Sequence, residues 1–273
     1  MAVVAISLQL GSRGLEFGRM AADALGYGFV TGDEMIAEAA RRFNVSADDL
    51  LISDLRTPRF WERGRSERHR YLAYLRAVLL EKLAADRIVA AGRTIAHQPP
   101  RCGSVLRVHV VSPFALRVKQ IAAGEKLEIG AAEKRVRDYD REARERSQSL
   151  QSVDIEDSAL YDLTVNSASH SFELHLAALT ALVRRIDETA GAAERQPLRD
   201  AAVAAQVRAA LLAHPKIRDA QITVNCKEGV LVLNGAGLVP PWDALVREIA
   251  GRIEGVARIE ITADETPMLD RAG

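Results

Sequence analysis

The fold is decided near the N-terminus by residues 3–19, which read VVAISLQLGSRGLEFGR. Val3–Leu8 is an almost continuous apolar run, typical of a strand buried on both faces of a parallel sheet. A glycine-containing turn follows, and then a helical stretch that runs to Leu25 and stops at Gly26. Such a turn presents backbone N–H groups and the positive end of a helix dipole to phosphate oxygens. The segment therefore predicts either a phosphate-binding turn or a tight turn without a ligand.

The rest of the first 190 residues alternates strands with helices. Further strands are predicted at Ile88–Ala91, Val105–Val111 and Leu160–Asn166. Further helices are predicted at Asp33–Phe43, Tyr71–Ala85, Ala131–Ser147 and Ser171–Asp187. This order is typical of an α/β domain built on a parallel sheet.

The last part of the chain predicts a small α+β module of the order αββαβ. Its elements are expected at Asp200–Ala213, Ala220–Asn225, Val230–Asn234, Trp242–Ile253 and Val256–Ile261. Residues 191–198 are small and polar and contain Gly191 and Pro197, a composition typical of a linker. We therefore expect one domain over residues 1–190 and a second over residues 199–265.

The composition excludes several classes of protein. The 273 residues include 37 Lys+Arg and 37 Asp+Glu, and this balance argues against a general nucleic-acid-binding protein. The two cysteines, Cys102 and Cys226, lie far apart, and the histidines have no metal-ligand spacing, so no metal site is predicted. The chain shows no signal peptide and no apolar run long enough for a transmembrane segment. We expect a cytoplasmic protein.

Two basic segments allow more than one interpretation. Arg137, Arg141 and Arg144 share one side of a helix, as arginines that neutralise a transferring phosphoryl group would. Opposite charges spaced four residues apart on the same helix equally indicate an ordinary solvated helix. Residues 56–76 contain seven arginines with interleaved aromatic residues, which predicts either nucleotide or nucleic-acid contacts or a solvated helical hairpin.

The first 190 residues resemble the cytidylate kinase-like family, a branch of the P-loop nucleoside monophosphate kinases. The resemblance is carried by GSRGLEFGR at 11–19, LGY at 25–27, DEMI at 33–36, AGR at 91–93, DREAR at 140–144 and YDLTVN at 161–166. It implies a P-loop kinase-like parallel sheet flanked by helices. It also implies ATP with Mg²⁺ as the phosphoryl donor and a nucleoside monophosphate such as CMP or dCMP as the acceptor.

The resemblance also implies roles for individual residues. The phosphate-binding loop would contain Gly11, Ser12, Arg13, Gly14, Gly18 and Arg19. The catalytic residues would be Arg137, Arg141 and Arg144, on a lid that contacts the transferring phosphoryl group. The acceptor would lie near Asp33 and Arg93, and the region around residues 56–76 would form the acceptor-binding insertion.

The loop departs from the family pattern at two positions. Arg13 stands where the family commonly has a glycine, and Leu15 stands where it commonly has an arginine. The family's aspartate falls at Gly32, with Asp33 next to it. Three hypotheses follow: a nucleoside monophosphate kinase, a catalytically weak or inactive nucleotide-binding sensor, or a structural interaction protein without a ligand.

Residues 199–263 resemble a BON domain. The resemblance is carried by ITV at 222–224, GVLVLNG at 229–235 and GV at 255–256. It implies a protein or lipid partner, and we interpret this part as a regulatory or assembly module.

Overall fold

The computed structural model describes residues 1–55, 65–217, 222–235 and 242–263. Its larger sheet consists of β1 (Val3–Leu8), β2 (Gly28–Thr31), β3 (Ile88–Gly92), β4 (Val105–Val111) and β5 (Leu163–Asn166). All neighbours pair in parallel, in the order β2-β3-β1-β4-β5. The parallel sheet predicted from the sequence is therefore confirmed. The short strand β2 was not predicted, because its four residues include only two large apolar side chains.

Helices cover both faces of this sheet. They are α1 (Gly14–Leu25), α2 (Gly32–Phe43), α3 (Ala47–Leu55), α4 (Arg65–Ala84), α5 (Phe114–Glu125), α6 (Ile129–Gln151) and α7 (Phe172–Thr189). Alternate residues of a strand face opposite sides. Accordingly, Val3 and Ala5 belong to the core that includes α2 and α4, and Val4 and Ile6 belong to the core that includes α1 and α7. The central strand is buried on both faces, as its apolar run predicted.

The C-terminal part has its own three-stranded sheet and its own core. Its elements are α8 (Ala192–Ala213), β6 (Ile222–Lys227), β7 (Val230–Gly235), α9 (Trp242–Gly251) and β8 (Arg258–Ala263). Strand β7 is central, antiparallel to β6 and parallel to β8. Leu231 and Leu233 of β7 pack with Leu211 of α8 and Val246 of α9. The element order is the αββαβ order expected from the sequence.

The structure differs from the sequence prediction at the expected linker. Helix α8 begins at Ala192, and Pro197 lies inside it, so most of residues 191–198 are helical. The Glu194 carboxylate accepts a hydrogen bond of 2.8 Å from the Gly191 N–H and so caps the start of the helix. The two parts of the chain are therefore joined by a helix.

One face of α8 packs on the first domain. Apolar residues spaced three or four apart join the core around α4: Leu198, Ala202, Ala205, Ala209 and Leu212. The Tyr74 hydroxyl of α4 donates a hydrogen bond of 3.3 Å to the Leu212 carbonyl oxygen. Because Val207 and Leu211 belong to the C-terminal core, α8 is shared by both hydrophobic cores.

Candidate functional site

The turn between β1 and α1 has the geometry of an anion-binding turn. Gly11 and Arg13 adopt positive φ angles of 79° and 62°, and the Ser12 N–H donates to the Gln9 carbonyl oxygen at 3.1 Å. The Phe17 N–H is bonded to the Arg13 carbonyl oxygen at 3.1 Å. The N–H groups of the first turn of α1, from Gly14 to Glu16, precede this bond and have no carbonyl partner within the helix. They can therefore receive phosphate oxygens.

The three glycines of this segment permit close packing. A Cβ atom at Gly11 would lie 2.6 Å from the Arg117 carbonyl oxygen, and one at Gly14 would lie 2.5 Å from Cβ of Leu8. A Cβ atom at Gly18 would lie 2.9 Å from the Phe29 ring. The glycines are thus required by the packing of the turn and of α1, and their role in phosphate binding stays a prediction.

The cations of the turn are engaged by neighbouring side chains. Arg13 donates to Glu16, a hydrogen bond that raises the pKa of the guanidinium, and it lies 5.0 Å from the centre of the Phe172 ring. Arg19 is exposed and lies 4.8 Å from the centre of the Phe29 ring. Leu15, where the family commonly has an arginine, is 46% exposed. Arg13 is therefore committed to Glu16 and does not replace the missing cation in this conformation.

Ser12 is completely buried in the same turn. Its hydroxyl has no hydrogen-bond partner within the part of the chain that the structure describes. Buried hydroxyl groups are normally hydrogen-bonded, so this orphaned group marks the turn as a place where a polar ligand would supply a missing partner.

Arg93 lies beside this turn at the carboxyl edge of the sheet. Because Gly92 of β3 pairs with Ser7 of β1, the residues that follow the two strands are neighbours. The Arg93 side chain is only 10% exposed, lies 3.8 Å from the centre of the Tyr139 ring and donates to Glu142 at 3.4 Å. It lines both a cleft of about 1160 Å³ and a small cavity of about 20 Å³ next to Leu8.

Asp33 lies near this cleft but does not line it. It is exposed in the first turn of α2, a helix whose start is capped by reciprocal hydrogen bonds between Thr31 and Glu34. The neighbouring Gly32 does line the cleft. The structure therefore brings Gly32 and Arg93 together, and the role of Asp33 at the acceptor stays a prediction.

The three arginines predicted to be catalytic lie on the outer surface of α6. Their side chains are 64%, 59% and 51% exposed at Arg137, Arg141 and Arg144. Each contacts a carboxylate, at 2.7 Å from Glu133, 2.7 Å from Asp138 and 3.6 Å from Glu156, respectively. In this conformation all three arginines are exposed and paired, Arg137 at the four-residue spacing within α6 and Arg144 with a carboxylate outside α6. Their contact with a phosphoryl group stays a prediction.

The inner side of α6 carries a different ion pair. Arg117 of α5 is buried and donates to both carboxylate oxygens of Asp140, at 2.9 and 2.7 Å. It also donates to the Leu10 carbonyl oxygen at 3.4 Å and so joins the turn after β1 to α5 and α6. Sequence analysis missed this bridge, because its partners are separated by 23 positions and follow no local spacing.

The large cleft is bounded by both parts of the chain. Its lining includes His69 and Arg76 of α4, Arg208 of α8 and residues of β6. His69 and Arg76 belong to the basic segment found in the sequence, of which residues 56–64 lie outside the described residues. Arg208 was missed, because it lies in a helix assigned to the other domain. Nothing in the local sequence around Arg208 indicates a binding site.

The described ranges contain neither a cluster of metal-ligating side chains nor a membrane-spanning helix. No group of three or more His, Cys, Asp or Glu side chains there is placed to hold a metal ion. None of the helices in these ranges has the length and apolar character needed to cross a membrane.

A parallel sheet of the order 2-3-1-4-5, flanked by helices and with a glycine turn after its central strand, is an α/β architecture consistent with a kinase-like nucleotide-binding fold. The model of the cytidylate kinase-like family matches residues 3–169, and the chain belongs to that family. This match ends before α8, so the BON resemblance of the C-terminal part stays a prediction.

Several solved structures are similar to this chain at low sequence identity. An uncharacterized protein from Eubacterium ventriosum is 11% identical, with a TM-score of 0.49 over 67% of this chain and 99% of its own. Shikimate kinase from Acinetobacter baumannii, in complex with shikimate, is 14% identical, with a TM-score of 0.41 over 68% of this chain and 94% of its own. TT1252 from Thermus thermophilus is 16% identical, with a TM-score of 0.40 over 70% of this chain and 98% of its own. No curated protein sequence matches the chain.

Proposed function

We propose that this protein is a phosphotransferase that moves the γ-phosphoryl group of ATP to a nucleoside monophosphate, CMP or dCMP. The observation that carries the proposal is the position of Arg93 between the turn after β1 and the large cleft. A guanidinium group at this point can bind a phosphate with two parallel hydrogen bonds once it exchanges its 3.4 Å contact with Glu142 for the ligand. Membership of the cytidylate kinase-like family supports the class of reaction.

The donor would bind at the start of α1. The N–H groups of Gly14, Leu15 and Glu16 would hold phosphate oxygens of ATP, which brings its Mg²⁺ with it. The protein's own contribution is positioning and positive charge, and no covalent nucleophile is needed. We expect Arg141 and Arg144 to exchange their exposed carboxylate partners for the phosphoryl group, since such pairs are worth at most about 1 kcal/mol.

A second candidate function is favoured by Leu15 and Arg13. Leu15 presents an apolar side chain where the family commonly has a cation, and Arg13 is paired with Glu16. The protein would then bind ATP with little turnover and act as a nucleotide sensor. Helix α8, shared by both cores, would connect the nucleotide site to the C-terminal module.

Kinetic measurements test the proposal. ADP formation would be followed with ATP, Mg²⁺ and CMP or dCMP for the wild type and for Arg93→Gln. We expect Arg93→Gln to lower kcat/KM by about a hundredfold or more, as for loss of a group that stabilises transition-state charge. The control is Arg87→Gln, an exposed arginine just before the amino end of β3, which should leave kcat/KM unchanged.

Leu15→Arg distinguishes the two candidates. We expect it to leave ATP affinity, measured by calorimetry, nearly unchanged and to raise the rate of transfer. Each tenfold gain corresponds to about 1.4 kcal/mol of activation free energy. Fast wild-type turnover that falls in Leu15→Arg would mean that another cation already serves the donor. A wild-type protein that binds neither ATP nor CMP would contradict both candidates.

A further inference from the structure

We propose that Arg76 and Arg208 form a phosphate-binding subsite within the large cleft, so that the C-terminal module completes a ligand site of the kinase-like domain. Its ligand is a phosphomonoester group, either on the acceptor nucleotide or as free inorganic phosphate. The subsite goes beyond the proposed transfer reaction, because binding at these two arginines does not require that transfer takes place.

The two arginines come from packed helices of different parts of the chain. Arg76 lies on α4 and Arg208 on α8, and both line the cleft. The Arg76 guanidinium donates to the Gln98 side-chain oxygen at 3.3 Å. Arg208 contacts Nε2 of His69, which accepts the hydrogen bond in its neutral form. Both contacts fix the direction of a guanidinium group with a neutral partner and leave its charge uncompensated.

The charges in this part of the cleft are unbalanced. Within the described ranges, neither Arg76 nor Arg208 forms an ion pair with a carboxylate. The acidic residues that line the cleft are Asp200 and Glu228. Asp200 accepts from the Glu228 N–H at 2.9 Å, the Gly229 N–H at 3.4 Å and the Gln196 amide at 3.0 Å. Its charge is thus used inside the C-terminal module.

Both guanidinium groups are destabilised in their charged form. Burial lowers the pKa of Arg208. The Arg76 side chain has part of its surface exposed in the cleft, but partial desolvation and the neighbouring Arg208 lower its pKa as well. In addition, Nε of Arg208 is buried and has no hydrogen-bond partner within the described residues. Two neighbouring like charges without a counter-ion are unfavourable, and a bound anion would relieve this repulsion.

The chemistry of the cleft favours a phosphate ester over a simple carboxylate. A phosphomonoester carries between one and a half and two negative charges near neutral pH, roughly matching the two guanidinium groups. Guanidinium groups also match phosphate geometry with paired hydrogen bonds. Met35, Ile36 and Leu72 line the same cleft and provide an apolar surface for the rest of the molecule, such as a nucleoside.

Calorimetric titration of the full chain tests the subsite with three probes: CMP, cytidine and inorganic phosphate. Variants Arg76→Gln and Arg208→Gln should each weaken CMP binding by about tenfold or more, since a hydrogen bond to a charged group is lost. They should leave cytidine affinity unchanged. The matched control is Arg199→Gln, an exposed arginine about two and a half turns earlier in α8 and hence on the opposite face.

The probes also separate the two sources of phosphate. If inorganic phosphate binds the wild type and this binding is lost in both variants, the subsite accepts the free anion. If only CMP is affected, the subsite holds the phosphate of the nucleotide. Equal affinities of the wild type and both variants for CMP and phosphate would overturn the proposal, and so would a wild type that binds neither. Since no turnover is measured, an inactive enzyme does not affect this result.

Thermal unfolding, measured with and without phosphate, tests whether Arg76 and Arg208 have only a structural role. Removing one of two repelling charges should leave the melting temperature unchanged or raise it, and phosphate should stabilise the wild type and the Arg199→Gln control alone. If Arg208→Gln fails to fold, Arg76→Gln decides the question, because the Arg76 side chain is exposed to the cleft. Unchanged phosphate stabilisation in Arg76→Gln would then overturn the subsite.

Discussion

His97, His109 and Tyr161 form a cluster in which His109 is buried and the other two side chains are half-buried. The Tyr161 hydroxyl donates to the Ile155 carbonyl oxygen at 2.8 Å, so it accepts from Nε2 of His97, also at 2.8 Å. The His109 ring stacks on Tyr161 with 4.4 Å between the ring centres. Burial lowers the pKa of both histidines to about 4, and for His97 the nearby Arg107 contributes as well. Both rings are therefore neutral in the folded protein.

The lowered pKa values of these two histidines predict that the folded protein loses stability in mild acid. Their folded pKa values lie below the ordinary value of 6.5, so the unfolded chain takes up protons first as the pH falls. Their contribution to the free energy of unfolding is complete above pH 6.5 and is lost progressively as the pH falls toward 4. We expect His109→Phe, which keeps a ring against Tyr161, to show a shallower loss. The measurement is the free energy of unfolding in urea at several pH values between 4 and 7.

The control for this measurement is His170→Gln, which changes an exposed histidine. It should reproduce the wild-type pH dependence. Identical slopes for the wild type and His109→Phe would show that His109 does not contribute to the acid sensitivity.

Among the helices, α6 carries two kinds of arginine–carboxylate pair. The pair between Asp140 and Arg117 has side chains only 20% and 5% exposed and joins two helices. The pair between Arg141 and Asp138 lies within α6 and is largely exposed. Burial makes the first pair structural, because loss of either partner leaves an uncompensated buried charge.

This difference predicts that two substitutions on α6 lower the free energy of unfolding by different amounts. Asp140→Asn should lower the free energy of unfolding by about 3 kcal/mol, since breaking a buried pair typically costs about 3–5 kcal/mol. Arg141→Gln should lower it by less than about 1 kcal/mol but should reduce phosphoryl transfer strongly if α6 acts as a lid. Denaturant unfolding and the kinase assay measure the two effects. Unchanged turnover in both Arg141→Gln and Arg144→Gln would show that α6 is an ordinary solvated helix and does not act as a lid.

The whole molecule is held together by α8. Its residues Leu198 and Leu212 belong to the core around α4, and Val207 and Leu211 belong to the C-terminal core. Melting of this helix would therefore expose apolar surface in both parts of the chain. The two parts are thermodynamically coupled through one element.

This coupling predicts a single unfolding transition. Leu198→Ala and Leu211→Ala each remove a buried side chain, from different cores, and each should cost about 2–5 kcal/mol. Differential scanning calorimetry should show one peak that both variants shift to lower temperature. Two separate peaks, with each variant moving only one of them, would show that the parts unfold independently despite the shared helix.

Local patterns in the sequence were enough to determine the main elements of the fold. The apolar run of β1, the glycine turn after it and the αββαβ order of the C-terminal part all depend on neighbouring residues, whose periodicity reflects burial directly. Most helices were found by the same periodicity, with ends displaced by a few residues. Arg93 was identified through the resemblance to the cytidylate kinase-like family, in which it ends the AGR motif at residues 91–93.

Only the tertiary structure decided which distant residues meet. The Arg117–Asp140 bridge and the placement of Arg76 and Arg208 in one cleft depend on how helices pack, and no local spacing encodes either. The start of α8 was missed because Gly191 and Pro197 indicate a break, whereas packing on α4 and the Glu194 cap stabilise a helix there. Charged and apolar residues that are far apart in the sequence line one cleft, because both parts of the chain pack on α8.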